Sequence, residues 1–410
     1  MREKRLLFGF LAALVLVLGT GIAGAAEKAV IGYQIDYERI VTIGRPLGQG
    51  VKDYVALWKK KTGGKIDGVE IQFSECDHGY NVDRGLECYQ RQKREGIVTL
   101  SMFGTPVTNA LAPKFEEDKI PSISPGFGIA TSMDGRFPYL FPAAANYWSQ
   151  ASAAIKYIND KEGSLKGKKI AFLHMDVPGG REPIPILKKL SEKLGFTLKT
   201  FGVPVPGVEM GAQVTDITRR YRADWVVAHL WGRAASVSFK ELVRKGFPLD
   251  HYIGLKIGVA EADVMAAGKD TSKGLQGIQI FGLGHDFDIL RDIKAMYKAK
   301  GKPMHKYWNV TGYYNWGILF AALQIEGVRQ AIKHYGTPVT GEKVKKGYEQ
   351  IKNWSVGKLF PPLTFSKTDH EGGGWCRVYQ WDGEKFVMTR DWFKGYRDVI
   401  KERLQETAKK

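Results

Sequence analysis

Short apolar runs alternate with amphipathic stretches along most of the chain, and the clearest unit runs from Ile97 to Gly128. Ile97-Val98-Thr99-Leu100 reads as a buried strand, and Gly104-Thr105-Pro106-Val107-Thr108 as a small-residue turn. Asn109 to Glu117 reads as a helix with Ala110, Leu111 and Phe115 apolar. Ile120 to Ser124 reads as a second strand running into Pro125-Gly126-Phe127-Gly128. Strand, loop, helix and strand in this order build a parallel sheet. Ligands bind such sheets outside the carboxyl ends of the strands, so these two loops predict one wall of a pocket. Plain scaffolding has the same pattern, because a fold by itself does not dictate a function.

The same alternation organises the rest of the chain. Ala29 to Ile35 predicts a buried first strand, and a polar, aromatic loop over Asp36 to Arg45 contains Tyr37, Glu38 and Arg39. Apolar residues at three-to-four spacing predict a helix from Pro46, stopped by Gly63-Gly64. Val69 to Phe73 is a second strand, Val82 to Arg94 a helix, and Pro138 to Ala145 an extended run leading to Asn146-Tyr147-Trp148. The pattern then restarts, with strands over Lys169 to His174, Phe196 to Val203, Asp224 to His229 and Tyr252 to Leu255. Helices are predicted over Ser149 to Asn159, Arg181 to Leu194, Val214 to Tyr221 and Ala234 to Arg244. Gln279 to Gly284 reads as a short strand, followed by helices over Asp286 to Lys298 and Tyr307 to His334. Arg377 to Trp381 and Phe386 to Arg390, around Asp382-Gly383, predict a β-hairpin. The architecture expected is two interwoven α/β lobes, with the chain crossing between them near 145, 282 and 360.

The N-terminus sets the compartment. Arg2, Lys4 and Arg5 precede 13 almost unbroken apolar residues, Leu6 to Leu18, and Ala23-Gly24-Ala25 fits a cleavage site. This predicts a secretory signal peptide cleaved near Ala25, since the run is shorter than the ~20 residues of a membrane span. The remaining chain is long enough for two domains. Its net charge of +18 falls to about +16 when Arg2, Glu3, Lys4 and Arg5 leave. Lys and Arg are scattered without a basic tail, which argues against nucleic acid, and a positive field favours anionic ligands. In an oxidising compartment Cys76 and Cys88 are a plausible pair, worth roughly 3 kcal/mol by chain entropy. Two buried thiols are the other reading, and Cys376 is left over.

Catalytic signatures are missing. The sequence has no Gly-x-Ser-x-Gly, His-Glu-x-x-His, Cys-x-x-Cys or complete phosphate loop, and no histidine pair at metal-ligand spacing. No enzyme activity, cofactor or metal is expected.

The residues carry a resemblance. Val30-Ile31-Gly32, Phe115 to Pro121, Ile123-Ser124-Pro125-Gly126 and Lys169 to His174, in this order and spacing, resemble the type I periplasmic substrate-binding proteins of branched-chain amino-acid (Leu/Ile/Val) ABC transporters. The resemblance covers essentially the whole mature chain. It implies a type I periplasmic-binding-protein fold, two Rossmann-like lobes around a central cleft joined by three crossover strands. The lobes would comprise 26–145 plus 283–359 and 146–282 plus 360–410. It also implies a disulfide between Cys76 and Cys88, a periplasmic monomer, cleft closure on a small ligand, and docking on inner-membrane permease subunits. A ligand-sensing protein of the same fold and a secreted hydrolase are the alternatives.

The ligand set follows from the resemblance residue by residue. Thr105, Val107 and Thr108 fall in the first loop that holds an amino acid's carboxylate, and Gly126, Phe127 and Gly128 in the second. Gly128 stands where the family usually has Thr. Near Gly179 the family has an aromatic ring that this chain lacks; its second ring matches Trp231. Lys256 falls where the family places the carboxylate that pairs with the ligand ammonium. A buried ammonium beside lysine would be repelled and unpaired, which is costly. Lys256 and Arg181 instead suit an acid, and Tyr37, Phe103, Phe127, Trp148 and Trp231 suit an aromatic or apolar body. The expected ligand is a carboxylate with such a body, with an amino acid or amide as the alternative.

Overall fold

The computed structural model describes residues 27–408, so the predicted leader and its cleavage site lie outside the described residues. Two sheets carry the chain. The first holds β1 (Lys28–Ile35), β2 (Lys65–Ile66), β3 (Val69–Asp77), β4 (Ile97–Met102), β5 (Ser122–Ile123) and β6 (Leu140–Phe141), in the order β2-β3-β1-β4-β5-β6. The second holds β7 (Lys169–Met175), β8 (Thr197–Val203), β9 (Trp225–His229), β10 (Tyr252–Gly254), β11 (Gln276–Gln279), β12 (Trp375–Trp381) and β13 (Phe386–Lys394). Their order is β13-β12-β11-β10-β9-β7-β8. The pairs from β3 through β6 and from β8 through β11 are parallel, and only β2 and the β12–β13 hairpin run antiparallel. Parallel strands are covered on both faces, which is why β1, β7 and β9 read as continuous apolar runs. The strand order reverses between β1 and β4 in one sheet and between β7 and β9 in the other. Ligand crevices form at such switch points.

The chain leaves the first sheet after β6, returns to it after β11 and leaves again before β12. These passages meet: Gly282 N–H donates to the Leu359 carbonyl at 2.7 Å. Asn146 caps the helix Tyr147–Glu162, and its own N–H donates to Glu371 Oε1 at 2.8 Å. Arg397 holds the other Glu371 oxygen. The helix Thr311–Tyr335, returned to the first sheet, has 19 of its 25 residues buried, as expected of a helix apolar around its whole circumference. It crosses Val41–Thr62 at glycines. A Cβ on Gly317 would lie 1.9 Å from the Leu47 carbonyl oxygen, and one on Gly50 2.1 Å from that of Tyr314. Next to this crossing the buried Asp53 accepts from Tyr314 (2.7 Å), Tyr297 (2.8 Å), His305 (2.9 Å) and Gln49 (3.0 Å).

Several boundaries differ from the sequence pattern. The helix expected from Asn109 starts at Thr105, because Pro106 in its first turn has a preset φ and no N–H to satisfy. The helix expected from Pro46 starts at Val41, after the Asp36 carboxylate accepts the N–H groups of Glu38, Arg39 and Ile40. The helix expected over Arg181 to Leu194 is two, Pro178–Arg181 and Ile184–Leu194, broken at Pro183. The strand placed at Gln279 to Gly284 is β11, three residues earlier. Cys76 and Cys88 are joined, with Cα atoms 5.9 Å apart, and Cys376 is free and buried. Among the described residues no helix is long and apolar enough to cross a membrane, and no cluster could hold a metal ion.

Candidate ligand site between the lobes

The carboxyl ends of β4, β5, β9 and β10 face one another across the junction of the two sheets. Phe103 follows β4 and Phe127 follows β5. Both pack edge-on against Trp316 of the long helix, at centroid distances of 5.7 and 5.8 Å, and Phe127 also stacks near Phe320. This geometry brings ring edges to ring faces, the favourable arrangement of the aromatic quadrupole. Trp316 is fixed by donating its indole N–H to the Pro125 carbonyl at 2.8 Å.

Lys256 comes two residues after β10 and reaches across to this aromatic group. Its Nζ lies 2.8 Å from the centre of the Trp316 ring. The residue is 1% exposed and its ammonium has no hydrogen-bond partner. Burial pushes its pKa well below the ordinary lysine value. Gly126 makes the passage possible. With φ at 80°, a Cβ there would meet Ile280 Cδ1 at 2.5 Å and Lys256 Cε at 3.1 Å. Gln150 locks both sides, accepting from Lys256 N–H at 3.2 Å and donating to the carbonyls of Gly126 and Ala145.

His229 ends β9 and is fully buried, with neither ring nitrogen hydrogen-bonded. Its ring meets Tyr147 at 4.3 Å and Trp231 at 5.4 Å. Burial, then the charges of Lys256 and His174, push its pKa down to about 3, so the ring is neutral. The Gly179 carbonyl opposes that shift without forming a well-directed hydrogen bond. Glu182 Oε1 accepts the Ala130 N–H at 2.5 Å, joining the lobes, while Oε2 is shielded from solvent without a partner. Burial raises the Glu182 carboxyl to about 8. The Thr105 hydroxyl lies beside the Tyr147 phenol, and a Cβ on Gly179 would sit 3.3 Å from Thr105 Oγ1. A side chain as large as tyrosine does not fit at 179 in this arrangement.

Of the residues singled out in the sequence, Phe103, Thr105, Gly126, Phe127, Trp231 and Lys256 lie in this interlobe group. Trp148 borders it, donating its indole N–H to the Glu182 carbonyl at 2.9 Å. Thr108 uses its hydroxyl on the Gly104 carbonyl at 3.0 Å, within its own helix. Gly128 has φ at 91°, and a Cβ would lie 2.9 Å from Ser124 Oγ, so the threonine usual in the family has no room. Three lie elsewhere. Val107, carried inward by the early helix start, packs on Gly85 inside the first lobe. Tyr37 donates to Glu75 at 2.5 Å beneath Lys52. Arg181, the last residue of the short helix before Pro183, is exposed and paired with Asp176 at 2.6 Å. Glu182, His229, Tyr147 and Trp316 were not singled out. His229 could have been, as the last residue of a buried strand; Glu182 and Trp316 carry no local signal.

The chain matches the family model described as periplasmic binding protein over residues 41–385. It belongs to the periplasmic binding protein family. A structure described as an ABC transporter permease from the Pseudomonas fluorescens group is 33% identical, with a TM-score of 0.86, covering 94% of this chain and 96% of its own. A branched-chain amino acid ABC transporter protein from Thermus thermophilus with bound valine is 21% identical, with a TM-score of 0.79, covering 92% and 98%. A solute-binding protein from R. palustris in complex with benzoate is 19% identical, with a TM-score of 0.70, covering 88% and 96%. The last two show the shared fold alone. No curated protein matches the sequence. The binding protein is thus a periplasmic solute-binding component of an ABC transporter rather than an enzyme, which removes the hydrolase alternative.

Proposed function

We propose that this binding protein captures a small carboxylic acid with an aromatic or apolar body and delivers it to an ABC importer. The lobes, 26–145 plus 283–359 and 146–282 plus 360–410, close on the ligand, and the exported chain, freed of its leader near Ala25, docks on the permease as a monomer. One observation carries the reading of the ligand: the buried side-chain amino group of Lys256 has no hydrogen-bond partner. A ligand carboxylate supplies that partner, through the kind of charge-assisted hydrogen bond that is strongest when desolvated. Phe103, Phe127, Trp231 and Trp316 supply flat apolar walls for the body. A benzoate-binding relative of the same fold is consistent with this chemistry. An α-ammonium is disfavoured, since Lys256 would repel it and the neutral His229 offers it no charge. Denaturing the purified protein and weighing the released small molecule by mass spectrometry tests the reading. An organic acid without an amine is expected, and an α-amino acid would overturn it.

A further inference from the structure

We propose that Glu261 and Thr311 are positioning residues for closure of the lobes: they tie the loop that carries Lys256 to the crossing strand at Gly284, so that the two move as one. The inference rests on the closure proposed above and not on the chemistry of the ligand. Glu261 opens the short helix Glu261–Ala267, between β10 and β11 of the second sheet, and Thr311 opens the long helix returned to the first. One oxygen of the Glu261 carboxylate accepts the Thr311 hydroxyl, and the other accepts the Gly312 N–H at 3.0 Å. Thr311 Oγ1 in turn accepts the Gly284 N–H at 2.9 Å. A single carboxylate of the second lobe thus reaches, through a buried hydroxyl of the first, to the backbone of the crossing.

The neighbouring contacts make this a continuous clamp. Asp263 accepts the Tyr313 hydroxyl at 2.7 Å, and that hydroxyl accepts the Gly258 N–H at 3.1 Å. Lys256 ends over Trp316, further along the same helix. The two backbones touch, since a Cβ on Gly312 would lie 2.6 Å from that of Ala260. The segment Lys256–Asp263 is therefore held against Thr311–Trp316 from the ligand site to the crossing. Gly284 has φ at 87° and open space where a Cβ would stand, so it can absorb the backbone rotation of a hinge. Asn315 Nδ2 donates to the carbonyls of Gly282 at 2.8 Å and Gly284 at 3.2 Å, which fixes one setting of that rotation. Separating the lobes parts Glu261 from Thr311, so these bonds favour the closed arrangement.

Spin labels on Arg39→Cys and Val205→Cys, exposed positions after the carboxyl ends of β1 and β8, test this by pulsed electron resonance on the full mature protein stripped of ligand. Cys76 and Cys88 are bonded and Cys376 is buried, so the labels attach at the two new thiols. The parent should show a narrow, short interlobe distance. Thr311→Val keeps the shape and removes the hydroxyl; it should cut the ratio of short to long distances about tenfold or more. Thr311→Ser should restore the parent's ratio, which a loss of packing would not. If the valine variant does not fold, Glu261→Gln, which surrenders one of the two acceptor oxygens, should move the ratio in the same direction. A valine variant with the parent's distribution, or a parent distribution no narrower than the variant's, would overturn the inference. No ligand is added, so either result leaves the carboxylate reading standing, and the mass of the released ligand leaves the clamp untouched.

Discussion

Replacing Lys256 by Met removes one buried charge and keeps the length of the stem that passes over Gly126. In the free protein the ammonium contacts the face of Trp316 and nothing polar. A cation–π contact contributes about 0.5–2 kcal/mol, whereas an unpaired buried ammonium costs more than that unless it sheds its proton. The unliganded variant should therefore be at least as stable as the parent. Binding moves the other way. A buried charge-assisted hydrogen bond to the ligand is worth on the order of 1.5–3 kcal/mol, so affinity for a carboxylate should fall roughly 10- to 150-fold. Thermal unfolding without ligand and calorimetric titration with benzoate measure the two effects on one preparation. An affinity within twofold of the parent's, with a lower melting temperature, would refute the reasoning, because Lys256 would then be a packing residue.

Other consequences are separable. The Glu182 carboxyl, raised by burial to about 8, binds a proton more tightly folded than unfolded, so its stabilisation is complete below its unfolded pKa and is lost as pH rises through 8. Glu182→Gln should flatten the decline in melting temperature between about pH 4.5 and 8 and be the more stable form at pH 8. Gly317→Ala should lower the urea midpoint by the equivalent of about 1–3 kcal/mol, because its Cβ would run into the Leu47 backbone. Thiol titration of the denatured, unreduced protein should find one free thiol, that of Cys376.

How far the sequence reveals this molecule depends on how local each signal is. Continuous apolar runs such as those of β7 and β9 announce strands covered on both faces, and most strands and the two-lobe architecture follow from them. Proline misleads when its position is unknown: Pro106 looks like a turn and begins a helix, and Pro183 lies inside an expected helix and breaks it. Val107 and Arg181, which lie away from the interlobe group, belong to these two displaced helices. Lys256 and Trp231 are reached through the family resemblance, and in the structure each comes two residues after the carboxyl end of a strand. Glu182 and Trp316 are not legible, because what makes them notable is a long-range contact, with Ala130 in one case and with Phe103, Phe127 and Lys256 in the other. The short helices Glu261–Ala267 and Gly341–Gln350 carry few large apolar residues, too few to mark them in the sequence.

The central claim is that an unpaired buried lysine, standing where an amino-acid-binding relative would need a carboxylate, selects an acid. Titrating the ligand-stripped protein calorimetrically with leucine, isoleucine and valine, and in parallel with a panel of aromatic and aliphatic carboxylic acids, tests it most directly. The account predicts heat and saturation with an aromatic or apolar acid and none with the three amino acids. Tight binding of a branched-chain amino acid, abolished when its amine is removed, would contradict it.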